Sequence, residues 1–235
     1  MPTQRALNLE TLVLQIGQHE ANETEMCVME AVAYIAGEPW SDKPQCASRA
    51  IAYFLRAYND SVNDEVRQSL KQYIPRLIGT RGSDAIEDRR SLMAADWIVR
   101  VHTPAWLRLA GLTASADALS SLPEITNTFQ LADFQRPLQA ASEDADAAWQ
   151  ARDVAVTAKI DEVVAAAFAL AWSVAKAAKW FELRPAVSNA LWATARAAAR
   201  AVDATGVDFQ PTVDALHATI PALLDRMIDA TGVTL

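Results

Sequence analysis

Several residue types that mark whole classes of protein are scarce in this chain. Its 235 residues include two cysteines, seven glycines and three histidines. Two cysteines cannot build the disulfide framework of a small secreted domain, and so few glycines do not suit a turn-rich β fold. Abundant alanine and an apolar fraction of 51% instead favour helices packed in a globular protein.

The chain also lacks a surplus of positive charge and a long apolar run. It holds 21 Lys and Arg against 29 Asp and Glu, whereas nucleic-acid and anionic-membrane binders need a basic face. We therefore expect neither kind of partner. The uncharged run at residues 163–175 is shorter than the roughly 20 residues that cross a bilayer. The N-terminal residues do not resemble a signal peptide, and we expect a cytoplasmic protein.

What the sequence does contain is helical periodicity in nearly every segment. Apolar residues recur at three- and four-residue intervals over residues 44–59 and 61–79, with Pro75 expected to kink the second helix and Gly79 to end it. Further helices are predicted over about 83–101 and from Thr103 to Gly111. No segment carries a strand pattern. The predicted fold class is all-α, a multi-helix bundle.

Composition divides the chain into three stretches. Residues 1–112 are predicted to form a helical subdomain built from hairpins, and residues 113–140 a partly helical connector. Residues 141–235 form an Ala-rich helical half, in which long helices are predicted over about 141–181 and 185–203. A last helix is expected over 212–230. Alanine lets helix axes approach closely, and surplus apolar surface on such helices would favour an oligomer.

The two cysteines could be imagined to share a site. The segments 25–37 and 44–59 are predicted to form an antiparallel hairpin, in which Cys27 and Cys46 are offset by about 12 Å, too far for a disulfide or one zinc ion. Cys46, predicted in the first turn of a helix, is the better nucleophile, but no histidine is expected beside it. We predict no catalytic residue, no metal and no cofactor.

Charged residues inside core-like segments are the remaining candidates. Glu30 is the only charged residue between Met26 and Ala36, and Asp96 and Arg100, four apart, interrupt another apolar run. Three interpretations account for them: a structural network among Glu30, Asp96 and Arg100, a polar pocket for a small ligand, or a Glu30 side chain that reaches solvent. The candidate ligand-binding residues are Glu30, Tyr34, Asp96, Trp97, Arg100 and His102. By contrast, the run DAIEDRR at residues 84–90 is typical of a charged helix face.

Four motifs occur together: CVMEAVAYIAGEPWSDKPQC at 27–46, IPRLIGT at 74–80, ADWIVRVHTPAWLRLAGL at 95–112 and LLDRMIDA at 223–230. This combination resembles a set of uncharacterised proteins of actinobacteria and their bacteriophages, mainly over residues 12–112. The resemblance implies a bacterial or phage origin and brings no known activity. Lys43 stands where we expect a histidine in those proteins, which lowers the case for metal or acid–base chemistry.

The leading hypothesis is a non-enzymatic, all-helical interaction protein. It would be a phage or mobile-element accessory factor that binds a host protein or assembles with itself. The alternative is a small-ligand-binding protein, or a metal- or thiol-dependent enzyme, with a polar pocket around Glu30, Asp96 and Arg100.

Overall fold

The computed structural model of the chain describes residues 5–21, 24–150, 190, 193–194, 196–197 and 208–230. The all-α prediction is confirmed: helices account for most of the described residues. The strands among them are β1, Val13–Leu14, and β2, Glu25–Met26, which pair in parallel. Most of the helices predicted over 141–181 and 185–203 lie outside the described residues.

The chain divides into two compact units, residues 1–90 with 224–235, and residues 91–223. The α-helices that begin in the first unit are α1 Val28–Ile35, α2 Arg49–Ser61, α3 Asp64–Ser69, α4 Ile74–Leu77 and α5 Asp84–Trp97. Those that begin in the second are α6 Thr103–Leu109, α7 Thr113–Ser120, α8 Leu131–Gln150, α9 Gln210–His217 and α10 Ile220–Asp229. Leu70–Tyr73 and Thr128–Gln130 are 3₁₀ turns, and Ile98–His102 is a π-helical segment.

The helix predicted over 61–79 is divided into α3, a 3₁₀ turn and α4, because of its proline. Pro75 stands at the start of α4 and is preceded by the 3₁₀ turn Leu70–Tyr73. A proline ring collides with the carbonyl four residues earlier, so the preceding turn cannot continue as a regular α-helix. Gly79 adopts a φ of +82° just beyond α4, in the region that favours glycine. The predicted end of the helix is confirmed.

Two other helix starts differ from the prediction. The first helix begins at Val28 and not at Glu25, because residues 25–26 pair with β1 and Cys27 is the N-cap. The helix α2 begins at Arg49, capped by the side chain of Ser48, which accepts from the amide of Ile51. The sequence predicted Cys46 in the first turn of this helix. In the structure Cys46 precedes the helix.

A buried arginine closes the C-terminal end of α2. Arg67 is 2% exposed. Its Nε donates to the carbonyl of Asn59 at 2.8 Å and its Nη2 to the carbonyl of Val62 at 2.5 Å, while Nη1 pairs with Asp64. The last carbonyls of a helix have no partner within it and carry its negative dipole end, so a cation here satisfies and neutralises them.

A second buried arginine closes the end of α10. Arg90 donates through Nε to the carbonyl of Met227 at 2.7 Å and through Nη2 to that of Ala230 at 3.3 Å. Its Nη1 lies 3.2 Å from the carboxylate of Glu87 on the same helix. Arg90 thereby fixes the terminal part of the chain to α5.

Glu87 binds a helix end of the opposite kind, the N-terminal end of α2. Its Oε2 accepts from the hydroxyl of Ser48 at 2.7 Å and from the amide of Ala50 at 2.9 Å. The charged helix face predicted over 84–90 is buried at these positions, since Glu87 and Arg90 are 4% and 3% exposed. Both charges tolerate burial because a helix end of complementary charge faces each of them.

The second unit is built around α7, which packs against α6 and α8. Its buried face contributes Ala116 and Leu119, and α8 contributes Phe134 and Leu138. The helices predicted over 83–101 and 103–111 run into each other through the π-helical segment, where the amide of Thr103 donates to the carbonyl five residues earlier. No helix within the described residues is long and apolar enough to cross a membrane.

We expect Arg90→Met to destabilise the protein by about 3–5 kcal/mol, because it leaves the buried Glu87 carboxylate and two helix-end carbonyls without their cation. Urea unfolding followed by circular dichroism measures the change. Arg81→Met, the same substitution at an exposed position, serves as the control and should stay within about 0.5 kcal/mol. Equal stability of both variants would contradict the role given to Arg90.

Candidate functional site

Glu30, the buried carboxylate singled out in the sequence, is bound at the start of α1. It is 0% exposed. Its Oε2 accepts from the amide of Cys27 at 2.8 Å and lies 2.9 Å from Nδ1 of His19, and its Oε1 accepts from the amide of His19 at 2.7 Å. The sulfur of Cys27 accepts from the amide of Glu30 in return. The two bonds between Cys27 and Glu30 form a capping box, and the bonds to His19 attach the preceding loop to it.

The partner of Glu30 is therefore His19. The network predicted from the sequence had placed Arg100 there instead. The loop that carries His19 has no helical periodicity, so the sequence pairs it with this carboxylate only within a metal site of Cys27, Glu30 and Cys46, which the predicted hairpin geometry opposes. One signal was available: Cys27 and Glu30 have the spacing of a capping box, with a cysteine in place of the usual serine or threonine. A further bond holds the loop, because the indole of Trp40 donates to the carbonyl of His19 at 2.8 Å.

Both thiols are free and neither is activated. Burial raises the pKa of Cys27 to about 12. Burial, with the nearby carboxylate of Glu38, raises the pKa of the half-buried Cys46 to about 11. A nucleophilic cysteine needs its pKa lowered, so this setting opposes thiolate formation. Among the described residues, no three His, Cys, Asp or Glu side chains are grouped so that they could hold a metal ion.

Asp96, the other carboxylate singled out in the sequence, is buried and anchors a loop. Its predicted pairing with Arg100 is confirmed: Nη1 of Arg100 lies 3.1 Å from Oδ1 and 3.3 Å from Oδ2. Oδ1 also accepts from the amide of Ile125 at 2.8 Å. Because Ile125 is 2% exposed, this bond and the apolar side chain together fix the start of the segment that leads into α8.

The same loop, residues 124–130, is held internally by one glutamine. Oε1 of Gln130 accepts from the amides of Thr126 at 2.8 Å and Asn127 at 3.1 Å, and its Nε2 donates to the carbonyl of Glu124 at 3.1 Å. The side chain of Asn127 accepts from the amide of Gln130, which completes a capping box. Phe129 lies within this bonded turn and is 91% exposed.

His102 is enclosed by two tryptophans. Its ring centroid lies 5.1 Å from that of Trp97, and its Nε2 accepts from the indole of Trp106 at 3.3 Å. A π-helical turn is wider than an α-helical one, and it brings residues five apart, such as 97 and 102, to the same side. Burial lowers the pKa of His102 to about 4. The neutral ring therefore carries its proton on Nδ1, which has no hydrogen-bond partner within the described part of the chain.

The six predicted ligand-binding residues fall in both units. In the first unit, Tyr34 packs edge-on against Trp40 with the guanidinium of Arg5 over its ring. In the second, the indole of Trp97 donates to the hydroxyl of Thr219 at 2.8 Å. Sequence reasoning missed Phe129. The signal for it was the capping-box spacing of Asn127 and Gln130, in the segment predicted to be a partly helical connector.

Comparison with known protein families, with curated proteins and with solved structures finds no match for this chain. The resemblance to actinobacterial and phage proteins therefore stays a prediction.

Glu30→Gln should destabilise the protein by about 2–4 kcal/mol, because an amide group cannot accept all three N–H bonds and turns a donor toward one of them. Chemical unfolding measures the loss. Glu25→Gln, the same change at an exposed position, should shift stability by no more than about 0.5 kcal/mol. A Glu30 variant as stable as its control would show that the Glu30 carboxylate does not hold this loop and helix start.

The lowered pKa of His102 predicts an acid-sensitive core. The folded state keeps the ring neutral, whereas the unfolded chain takes up a proton once the pH falls below the ordinary pKa of 6.5. The stabilisation is therefore complete above pH 6.5 and is lost as the pH falls to about 4, a change of roughly 3 kcal/mol.

Unfolding free energies at about pH 7 and about pH 4.5 test this prediction. His102→Gln keeps a hydrogen-bond acceptor for Trp106 and removes the titrating ring. The variant should lose less stability than the natural chain between the two pH values. The same loss in both proteins would show that His102 is not the group responsible.

Proposed function

We propose that this chain is a non-enzymatic interaction protein that binds a partner protein through Phe129. The observation that carries the proposal is the exposure of this aromatic ring, 91%, on a turn that hydrogen bonds hold from both sides. Aromatic side chains bury roughly 150–250 Å² each and dominate the energy of protein interfaces. An exposed ring on a fixed turn supports recognition by a complementary pocket.

The turn is organised before any partner arrives. Gln130 binds three backbone groups of residues 124–127, and Asp96 binds the amide of Ile125. A loop that is already ordered loses less conformational entropy on binding, so more of the contact energy appears as affinity. In this proposal Asp96 and Arg100 position the loop from beneath and do not bind a ligand themselves.

The charge around the loop indicates the chemistry of the partner. Residues 113–135 contain no Lys or Arg, and of their three carboxylates Asp117 pairs with Arg108, whereas Glu124 and Asp133, near Phe129 in the sequence, are exposed. An apolar pocket with a basic rim would complement both the ring and this charge. A second copy of the acidic chain would repel it, which favours a different protein over self-assembly. As the resemblance implies, the proposal also includes an origin as a phage or mobile-element accessory factor.

The test replaces Phe129 with a photo-crosslinking phenylalanine analogue in cells that produce the protein. We expect one discrete adduct, and an identified partner that carries an apolar cleft with Lys or Arg at its rim. The purified partner should lose affinity for Phe129→Ala by about thirtyfold, the effect of removing an aromatic anchor worth about 2 kcal/mol.

Gln135 provides the matched control, since it is exposed on the same helical stretch. The analogue at position 135 should give no adduct, and Gln135→Ala should bind the partner as the natural chain does. An adduct composed of two copies of this chain would replace the proposal with self-assembly. No adduct at position 129, or equal affinity of both alanine variants, would overturn it.

A further inference from the structure

The imidazole of His19 is fixed through both its main chain and its ring. Its amide donates to Oε1 of Glu30 at 2.7 Å, and its carbonyl accepts from the indole of Trp40 at 2.8 Å. On the ring, Nδ1 lies 2.9 Å from Oε2 of Glu30, which is 0% exposed. Because an ionised carboxylate only accepts hydrogen bonds, the neutral ring carries its proton on Nδ1. These bonds determine both the position of the imidazole and its tautomer.

The other ring nitrogen of His19, Nε2, is therefore unprotonated and points away from the buried carboxylate. It makes no hydrogen bond with a residue that the structure describes, and the side chain is 21% exposed, so its lone pair faces solvent. His102 differs in both respects, since its Nε2 accepts from Trp106 and its ring is buried. An imidazole held by a carboxylate on one nitrogen, with a lone pair available on the other, has the arrangement of a nucleophile.

The position of Glu30 suits the charge that forms when Nε2 attacks an electrophile. Nδ1 keeps its proton in such a reaction, so the ring becomes a cation. The carboxylate already lies within hydrogen-bond distance of this ring, in a buried place where opposite charges attract more strongly than in water. Glu30 is on the Nδ1 side and leaves the approach to Nε2 open. The geometry therefore favours attack on a group that arrives from outside the chain.

We propose that Nε2 of His19 accepts a phosphoryl group from a phosphoramidate donor, such as a phosphohistidine of a partner protein. Nε2 attacks phosphorus and forms an N–P bond, while the bond between phosphorus and the donor nitrogen breaks. Its electron pair leaves on that nitrogen, as neutral ammonia when the donor is the phosphoramidate ion itself. His19 becomes a phosphorylated imidazolium that still donates from Nδ1 to Glu30. The added anionic oxygens give the loop a new surface that a partner with Lys or Arg can recognise.

This site lies in the first unit and uses no residue of the Phe129 loop. Phe129→Ala should therefore be phosphorylated at the natural rate, and His19→Asn should still give the Phe129 adduct. Either proposal can fail while the other holds.

The probe is potassium phosphoramidate, incubated with the full chain at neutral pH. Intact mass spectrometry follows the gain of one phosphoryl group, fragmentation locates it, and phosphorus NMR distinguishes Nε2 from Nδ1. We expect the group on Nε2 of His19, lost in acid and retained in base, as N–P bonds are. His217, half-buried on α9, is the internal comparison. It should react at least about tenfold more slowly, because burial lowers its pKa and makes the ring a weaker nucleophile.

Two variants separate the chemistry from folding. His19→Asn keeps an N–H donor for Glu30, so it should melt like the natural chain and take up no phosphoryl group at position 19. Adding Gln18→His to this variant moves the imidazole to the adjacent, exposed position, where it lacks the bond to the buried carboxylate. The double variant should react at least about tenfold more slowly than the natural chain.

Glu30→Gln tests the carboxylate itself. Where circular dichroism shows this variant folded, its reaction should slow by a similar factor, because an amide does not neutralise the imidazolium. Where it is unfolded, the double variant decides the question.

Three results would overturn the proposal. The first is the absence of a phosphoryl group on His19, or its presence on Nδ1, which would contradict the bond to Glu30. The second is an equal rate at His217. The third is an equal rate in the double variant, which would show that exposure alone sets the reactivity.

Discussion

The first unit depends on the ion pair between Glu87 and Arg90, buried one turn apart on α5. Each charge reaches a different helix end: the carboxylate binds the amide of Ala50 and the hydroxyl of Ser48 at the start of α2, and the guanidinium binds the last carbonyls of α10. An isolated buried pair is weak support for a fold, since desolvation offsets most of its attraction. Here the helix ends supply further partners. The pair therefore joins segments that are distant in sequence and makes their packing mutually dependent.

The same physical solution recurs across the described part of the chain. Arg67 closes the end of α2, Glu30 binds the start of α1 together with the loop of His19, and Asp96 holds the amide of Ile125. In each case a buried charge binds backbone groups that secondary structure leaves unpaired. Glu30 and Asp96 look like candidates for chemistry when read from sequence, because burying a charge costs free energy. In the structure both carboxylates bind backbone amides instead.

This distribution of roles connects the fold to the proposed function. A buried carboxylate that fixes a loop makes the residues on that loop rigid, and the loop anchored by Asp96 carries an almost fully exposed phenylalanine. The side-chain amide of Gln68 satisfies the backbone of Leu14, on the edge of β1 against which α3 packs. The loop and the strand both derive their order from side chains that bind backbone groups. A binding surface such as the Phe129 loop needs no activated side chain.

Local rules of sequence determined the helical fold, the end at Gly79, the disturbance at Pro75 and the pairing of Asp96 with Arg100. All of these depend on spacings of one to four residues, which the chain encodes directly. Only the tertiary structure decided that Glu30 binds His19, that Glu87 and Arg90 are buried, and that Phe129 is exposed. A buried polar group takes its partners from segments remote in sequence, and periodicity carries no information about which segments meet.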